Sequence, residues 1–140
     1  MRPGVLVLVV WLAAVLHAQT PTPAPTTTVK DKVYTREQAD RGEKSYKQIC
    51  AKCHLFDGPK TKDGPPLGGD FFFDKWDGKS IFEMAVGIKL NMPPDGSAFL
   101  DDDETADLVA FILKSDGFPD GDKPLKTDAS TKNLIIVRNK

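Results

Sequence analysis

Cys50-Ala51-Lys52-Cys53-His54 places both cysteines of the chain in a Cys-x-x-Cys-His run. This spacing is the mark of c-type haem attachment. Two thiols add to the two vinyl groups on one edge of a porphyrin, and the next residue puts an imidazole under the iron. A short helical turn ending in this run does all three. Cys50 and Cys53 are therefore candidate haem-attachment residues, and His54 is a candidate axial ligand. Three other chemistries use paired cysteines. A thioredoxin-like redox pair belongs at the end of a strand in a βαβ setting, whereas the residues before Cys50 have helical spacing. A structural zinc site takes four protein ligands, and the only other histidine is His17, in an apolar leader. A disulfide between residues three apart closes a small, strained ring. The sequence favours haem over these three.

A haem held by His54 needs a ligand on its other face, and iron accepts a methionine thioether there. Beyond Met1 the chain has Met84 and Met92. Met84 falls inside a helical pattern, where methionine commonly fills gaps in a core. Met92 falls in Leu90-Asn91-Met92-Pro93-Pro94, whose prolines hold the backbone extended and let a side chain project from a loop. It lies 38 residues after His54, far enough for the chain to wrap a porphyrin. Met92 is the candidate sixth ligand, and Met84 is read as packing.

Three helices must position these groups, and each has a start signal. Thr35-x-x-Gln38, Ser80-x-x-Glu83 and Asp101-x-x-Glu104 are capping boxes. The first helix carries Ala39, Gly42, Tyr46 and Ile49 at helical spacing and runs into Cys50. The second turns Ile81, Phe82, Ala85 and Ile88 inward, and the third Leu108, Phe111 and Ile112, ending at Gly117 and Pro119. The acidic run 101–104 suits a helix N-terminus; a docking patch or a calcium site is the lesser reading. Gly64-Pro65-Pro66-Leu67-Gly68-Gly69 is a loop. Phe71, Phe72, Phe73 and Trp76 follow it and are expected in loop conformation, covering a haem face or edge or else packing on the helices. Leu134–Val137 reads as a short strand or an extended strap.

The ends of the chain bear on its address. Arg2, the apolar stretch Val5–Leu16 and Ala18-Gln19 read as a secretory signal with cleavage after residue 18. The stretch falls short of the ~20 residues that span a bilayer, and an uncleaved anchor is the alternative. No cysteine follows it, which excludes lipid attachment there. Residues 19–32 read as a Pro/Thr-rich linker, 33–119 as the haem domain and 120–140 as an extension packed on it. Beyond the leader, 18 basic side chains face 20 acidic ones, a balance that argues against nucleic acid or an anionic membrane as partner.

The chain resembles the class I, single-haem cytochromes c from about Thr35 to Pro119. Gly42 and Tyr46 precede Cys50 by eight and four residues, as the family's glycine and aromatic do, and Leu108 and Phe111 match the leucine and aromatic of its last helix. The resemblance implies that these four form a crossing of first and last helices. Pro65, Leu67 and Gly69 match the family's Pro-x-Leu-x-Gly loop, which implies a Pro65 carbonyl bonded to His54 and Leu67 in the haem pocket. Met92-Pro93 matches the axial methionine and its proline. The segment 112–121 is similar to cytochrome domains attached to quinoprotein dehydrogenases. The loop between His54 and Met92 is shorter than in mitochondrial cytochromes, so propionate contacts do not carry over; Trp76 is the candidate for one.

The expected molecule is a small all-α cytochrome c fold, with three main helices around one covalent haem c and Gly/Pro-rich loops between them. The expected role is a one-electron carrier, periplasmic or otherwise exported, between redox protein partners, a dehydrogenase or an oxidase. Two alternatives stand beside it: the haem-bearing subunit of a periplasmic dehydrogenase, and a small haem enzyme or gas sensor with an open axial position. No paired carboxylates, nucleophile–base pair or phosphate loop suggests an independent catalytic site.

Overall fold

The computed structural model describes residues 26–56 and 63–139. The leader and residues 19–25 of the linker lie outside them. Among the described residues four α-helices carry the fold: α1 (Arg36–Ser45), α2 (Gly69–Trp76), α3 (Ile81–Asn91) and α4 (Asp102–Ser115). The all-α class is as expected, with one helix more than the three foreseen. All three capping boxes form, with Thr35, Ser80 and Asp101 each accepting from the backbone N–H three residues on. Past Ser45 the first helix widens into a π turn over Tyr46–Cys50, in which the Ala51 N–H donates to the Tyr46 carbonyl at 2.9 Å. Such turns recur at functional sites. Helix α4 ends as its sequence suggests, with Gly117 at φ 82°.

Helices α1 and α4 cross at Gly42. A Cβ at that position would lie 1.9 Å from the Asp107 carbonyl oxygen and 2.9 Å from Phe111 Cβ, so only hydrogen fits. The crossing is flanked by a bidentate ion pair, Arg41 Nε to Asp107 Oδ2 at 2.6 Å and Nη2 to Oδ1 at 2.7 Å. Asp107 is largely buried, and the fork satisfies both of its oxygens. Every residue of α4 from Thr105 to Leu113 is buried, so α4 is the central helix and not merely one-faced.

The aromatic run 71–76 is not a loop; it forms helix α2. No local side chain caps this helix. Asp116, at the end of α4, instead accepts from the Gly69 N–H at 2.8 Å. Phe72 and Phe73 are buried, edge-on to each other at 5.2 Å, and Phe73 continues onto Phe118 at 6.1 Å. In α3 the inward positions are Ile81, Met84 and Ala85. Phe82, expected inward, is half-buried at the margin with Lys132 Nζ 5.0 Å from its ring. The buried face centres on positions 81, 84 and 85, one step round the helix from 82.

The folded part begins before Val33. Strand β1 (Thr27–Thr28) pairs in parallel with β2 (Leu134–Ile135), and Val29 is fully buried. The Pro/Thr composition of the linker hides this because the pairing partner lies over a hundred residues away. Residues after Pro119 contribute Leu125, Leu134 and Ile136 to the core. The Gln38 side chain, besides closing its capping box, exchanges two hydrogen bonds with the Leu125 backbone at 2.6 and 3.0 Å. The Tyr34 hydroxyl donates to the Phe118 carbonyl at 2.6 Å; burial, with Asp120 nearby, pushes its pKa up to about 12.

Gly42→Ala is expected to force α1 and α4 apart, because the added methyl meets backbone rather than a movable side chain. Overpacking of this kind costs roughly 1–3 kcal/mol. Thermal unfolding of the haem-loaded protein checks it: an unchanged midpoint would mean the crossing yields without loss.

Candidate haem site

The π turn delivers Cys50 at a helix end. The N–H groups of Cys53 and His54 both donate to the Cys50 carbonyl, at 3.1 and 2.9 Å, so the run folds back as a tight turn. The Tyr46 hydroxyl donates to the His54 carbonyl at 2.6 Å and ties the end of the run to the crossing helix. Tyr46, Phe56 and Phe111 stack around this point with ring centroids 4.9 to 5.3 Å apart. Burial, then proximity to Cys53, pushes the Cys50 thiol up. Redox-active Cys-x-x-Cys pairs need the opposite shift and usually open a helix. Among the described residues no three His, Cys, Asp or Glu side chains converge as a zinc site requires.

The loop after the run orients the imidazole. His54 Nδ1 lies 2.7 Å from the Pro65 carbonyl oxygen. A carbonyl only accepts, so Nδ1 carries the hydrogen and Nε2 keeps its lone pair for a metal. A Cβ on Gly64 would lie 2.7 Å from His54 Cε1, so the ring rests directly on this glycine. The Leu67 N–H donates to the Leu55 carbonyl at 2.8 Å and closes the loop.

Cys50, Cys53, His54, Pro65, Leu67, Trp76 and Met92 all line one cavity of about 270 Å³. Every site residue singled out in the sequence therefore borders the same space. Met92 ends α3 with extended backbone (φ −125°, ψ 137°) and is 38% exposed. Met84, buried among core side chains, also reaches the cavity wall, which its helical pattern did not reveal. Phe71 and Phe72 line it from α2, and Leu100 and Leu108 from α4 and the residue before its cap. Phe71 and Phe72 stand out in the sequence as part of an aromatic run and Leu108 as an inward helix position; Leu100 carries no signal beyond hydrophobicity, because only the tertiary fold brings it to the wall. The lining suits a haem: it is mostly apolar, two thiols border it, and an imidazole nitrogen is left available.

Residues 37–112 match the family model described as cytochrome c oxidase, cbb3-type, subunit III. Cytochrome c 2.1 of Caenorhabditis elegans is 30% identical over 94 residues, covering 52% of this chain and 85% of the relative. Cytochrome c of Chlamydomonas reinhardtii is 30% identical over 97 residues, covering 54% of this chain and 87% of the relative. No solved structure matches significantly. No described helix is long and apolar enough to cross a membrane. The helix crossing, the Cys-x-x-Cys-His run and both methionines fall inside the matched span, and the chain belongs to the class I c-type cytochromes, a family of electron carriers that hold haem c covalently.

Proposed function

We propose that this chain is an exported one-electron carrier, with haem attached through Cys50 and Cys53 and its iron held by His54 and Met92. The observation that carries the reading is the shared cavity: the two thiols, the oriented imidazole and one methionine on a loop border a single apolar space. When bound, the haem supplies an iron that alternates between ferric and ferrous states. The chain's own residues do the rest. Pro65 and Gly64 set the imidazole plane. Met92 has extended backbone, and Pro93 and Pro94 follow it into a turn that the Gly96 N–H closes by donating to the Pro93 carbonyl at 3.1 Å. Leu67, Leu100 and Leu108 keep water from the ring, and burial and ligand identity then tune the potential. With His54 and Met92 both on the iron, no coordination position would remain for a small substrate, so the proposed ligation implies a carrier rather than an enzyme.

Met92 is preferred to Met84 on backbone grounds. Met84 sits in a regular helix and is 2% exposed among core side chains, so its sulfur serves packing. Met92 has left the helix and is free to turn inward. Lysines are poor rivals, being protonated and strongly hydrated at neutral pH. The apolar stretch 5–16 and the cleavage pattern at 18 support export, and periplasmic or otherwise exported redox proteins, a dehydrogenase or an oxidase, are the partners this implies. The matched model describes an oxidase subunit, which favours a second reading: a haem-bearing subunit of a larger oxidoreductase. Copurification of a catalytic subunit with the exported protein separates the two.

Three outcomes are expected. Acid–acetone extraction leaves the colour on the wild-type protein, and Cys50→Ala with Cys53→Ala abolishes covalent haem; colour retained by the double variant would defeat the attachment. Met92→Ala removes the weak ferric absorption band of sulfur ligation, lowers the reduction potential and opens the iron to carbon monoxide, while Met84→Ala mainly lowers the melting temperature. The reverse pattern would reassign the ligand. Deleting residues 1–18 leaves haem-free, poorly folded protein in the cytoplasm, since haem binding contributes to folding; a cooperative melt of that apoprotein would count against the idea.

A further inference from the structure

Lys75 is the only cationic side chain among the described residues lining the cavity, His54 aside. It stands next to Trp76, with Nζ 5.0 Å from the centre of the indole, and Lys79 Nζ lies 5.3 Å from the same ring. Lys75 makes no ion pair with a described carboxylate. The acids of its own helix are engaged elsewhere. Arg138 donates to Asp70 at 2.5 Å and to Asp74 at 2.8 Å, and its backbone N–H donates to Asp77 at 2.8 Å. Helix α2 is thus two-sided, with its acids turned to the C-terminal tail and Lys75 with Trp76 bordering the cavity.

Cys50 and Trp76 border the cavity from different apolar clusters. Cys50 packs with Tyr46, Leu100, Leu108 and Phe111. Trp76 packs with the other cluster, and its indole edge rests 3.5 Å from the position a Cβ on Gly87 would take. A haem carries its vinyl groups and its two propionates on different edges of the ring. Thioether bonds at Cys50 and Cys53 would fix the vinyl edge beside those cysteines. The anionic edge must then find donors and positive charge elsewhere on the wall, since an unpaired carboxylate is costly beside apolar surface.

We propose that Lys75, beside Trp76 at the rim of the cavity, is the cationic partner of a haem propionate and fixes the orientation of the anionic edge. The proposal deepens the reading of haem attachment at Cys50 and Cys53 and rests on it. Pairing there partly neutralises the propionate, and a positive charge near the iron disfavours its ferric state, so Lys75 raises the reduction potential.

Proton NMR of the reduced wild-type holoprotein tests the contact directly. Nuclear Overhauser contacts from propionate methylenes to the Lys75 side chain and the Trp76 ring are expected; propionates that contact only other residues overturn the proposal. Lys75 is exposed, so Lys75→Gln and Lys75→Glu leave the fold intact. The potential is expected to fall in both, further in Lys75→Glu, with the band of sulfur ligation retained. Lys44→Gln removes an exposed lysine on α1 outside the cavity wall and is expected to change the potential less. Equal falls in Lys75→Gln and Lys44→Gln would reduce the effect to general surface charge and overturn the proposal. Wild-type protein with covalent haem but no such contacts overturns this inference alone, whereas haem not bound through Cys50 and Cys53 overturns both readings.

Discussion

The backbone contact between α1 and α4 at Gly42 governs the rest of the molecule. With no side chain at Gly42, the Asp107 carbonyl enters the space a Cβ would occupy. One turn later α1 places Tyr46 against Phe111, and the Tyr46 hydroxyl reaches the His54 carbonyl. The position of His54 is thus tied, through one aromatic residue and one hydrogen bond, to the close approach of two helices. Burial holds the Tyr46 hydroxyl in its neutral, donating form by raising its pKa. Each aromatic pair in the Tyr46–Phe56–Phe111 group contributes on the order of 0.5–1.5 kcal/mol beyond area burial.

The far wall of the cavity is held by different means. Helix α2 has eight residues and no local side-chain cap. It is kept in place by contacts from distant parts of the chain: Asp116 at its N-terminus, and Arg138 along its acidic side with the guanidinium 5.2 Å from the Phe73 ring. Exposed ion pairs of this kind contribute little singly. The buried packing of Phe72, Phe73 and Phe118 carries the larger share. The tail is therefore part of the site's support. Ile136, just after β2, also bonds to the turn before α3: the Gly78 N–H donates to its carbonyl and its own N–H donates to the Lys79 carbonyl, both at 2.8 Å, which links the tail to the helix that ends at Met92.

A covalent cofactor suits this division of labour. The wall at Cys50 belongs to the close crossing of α1 with the buried helix α4. The wall at Trp76 depends on a short helix held by the end of α4 and by the C-terminal tail. Haem c, which the family holds covalently, would bring apolar surface that a domain of this size supplies sparingly by itself. Stability and redox tuning then share the same contacts.

The sequence by itself determined the chemistry and the elements that carry it. The Cys-x-x-Cys-His spacing, the three capping boxes, Gly42 with Tyr46, and the proline-held Met92 are local patterns, and each acts through neighbours within one or two turns. Cys50, Cys53, His54 and Met92, chosen from such patterns, border one cavity with Trp76 and with Pro65 and Leu67, the last two taken from the resemblance to the cytochromes c. Only the tertiary structure decided the rest, because the partners are remote in the chain. Helix α2 needs Asp116, 47 residues on, to close its first turn, so the run around Phe71 to Trp76 reads as a loop when seen alone. Thr27–Thr28 become a strand only beside Leu134–Ile135. Met84 faces both core and cavity because α3 is rotated to bury positions 81, 84 and 85, a choice made by packing against the other helices and left open by hydrophobic spacing.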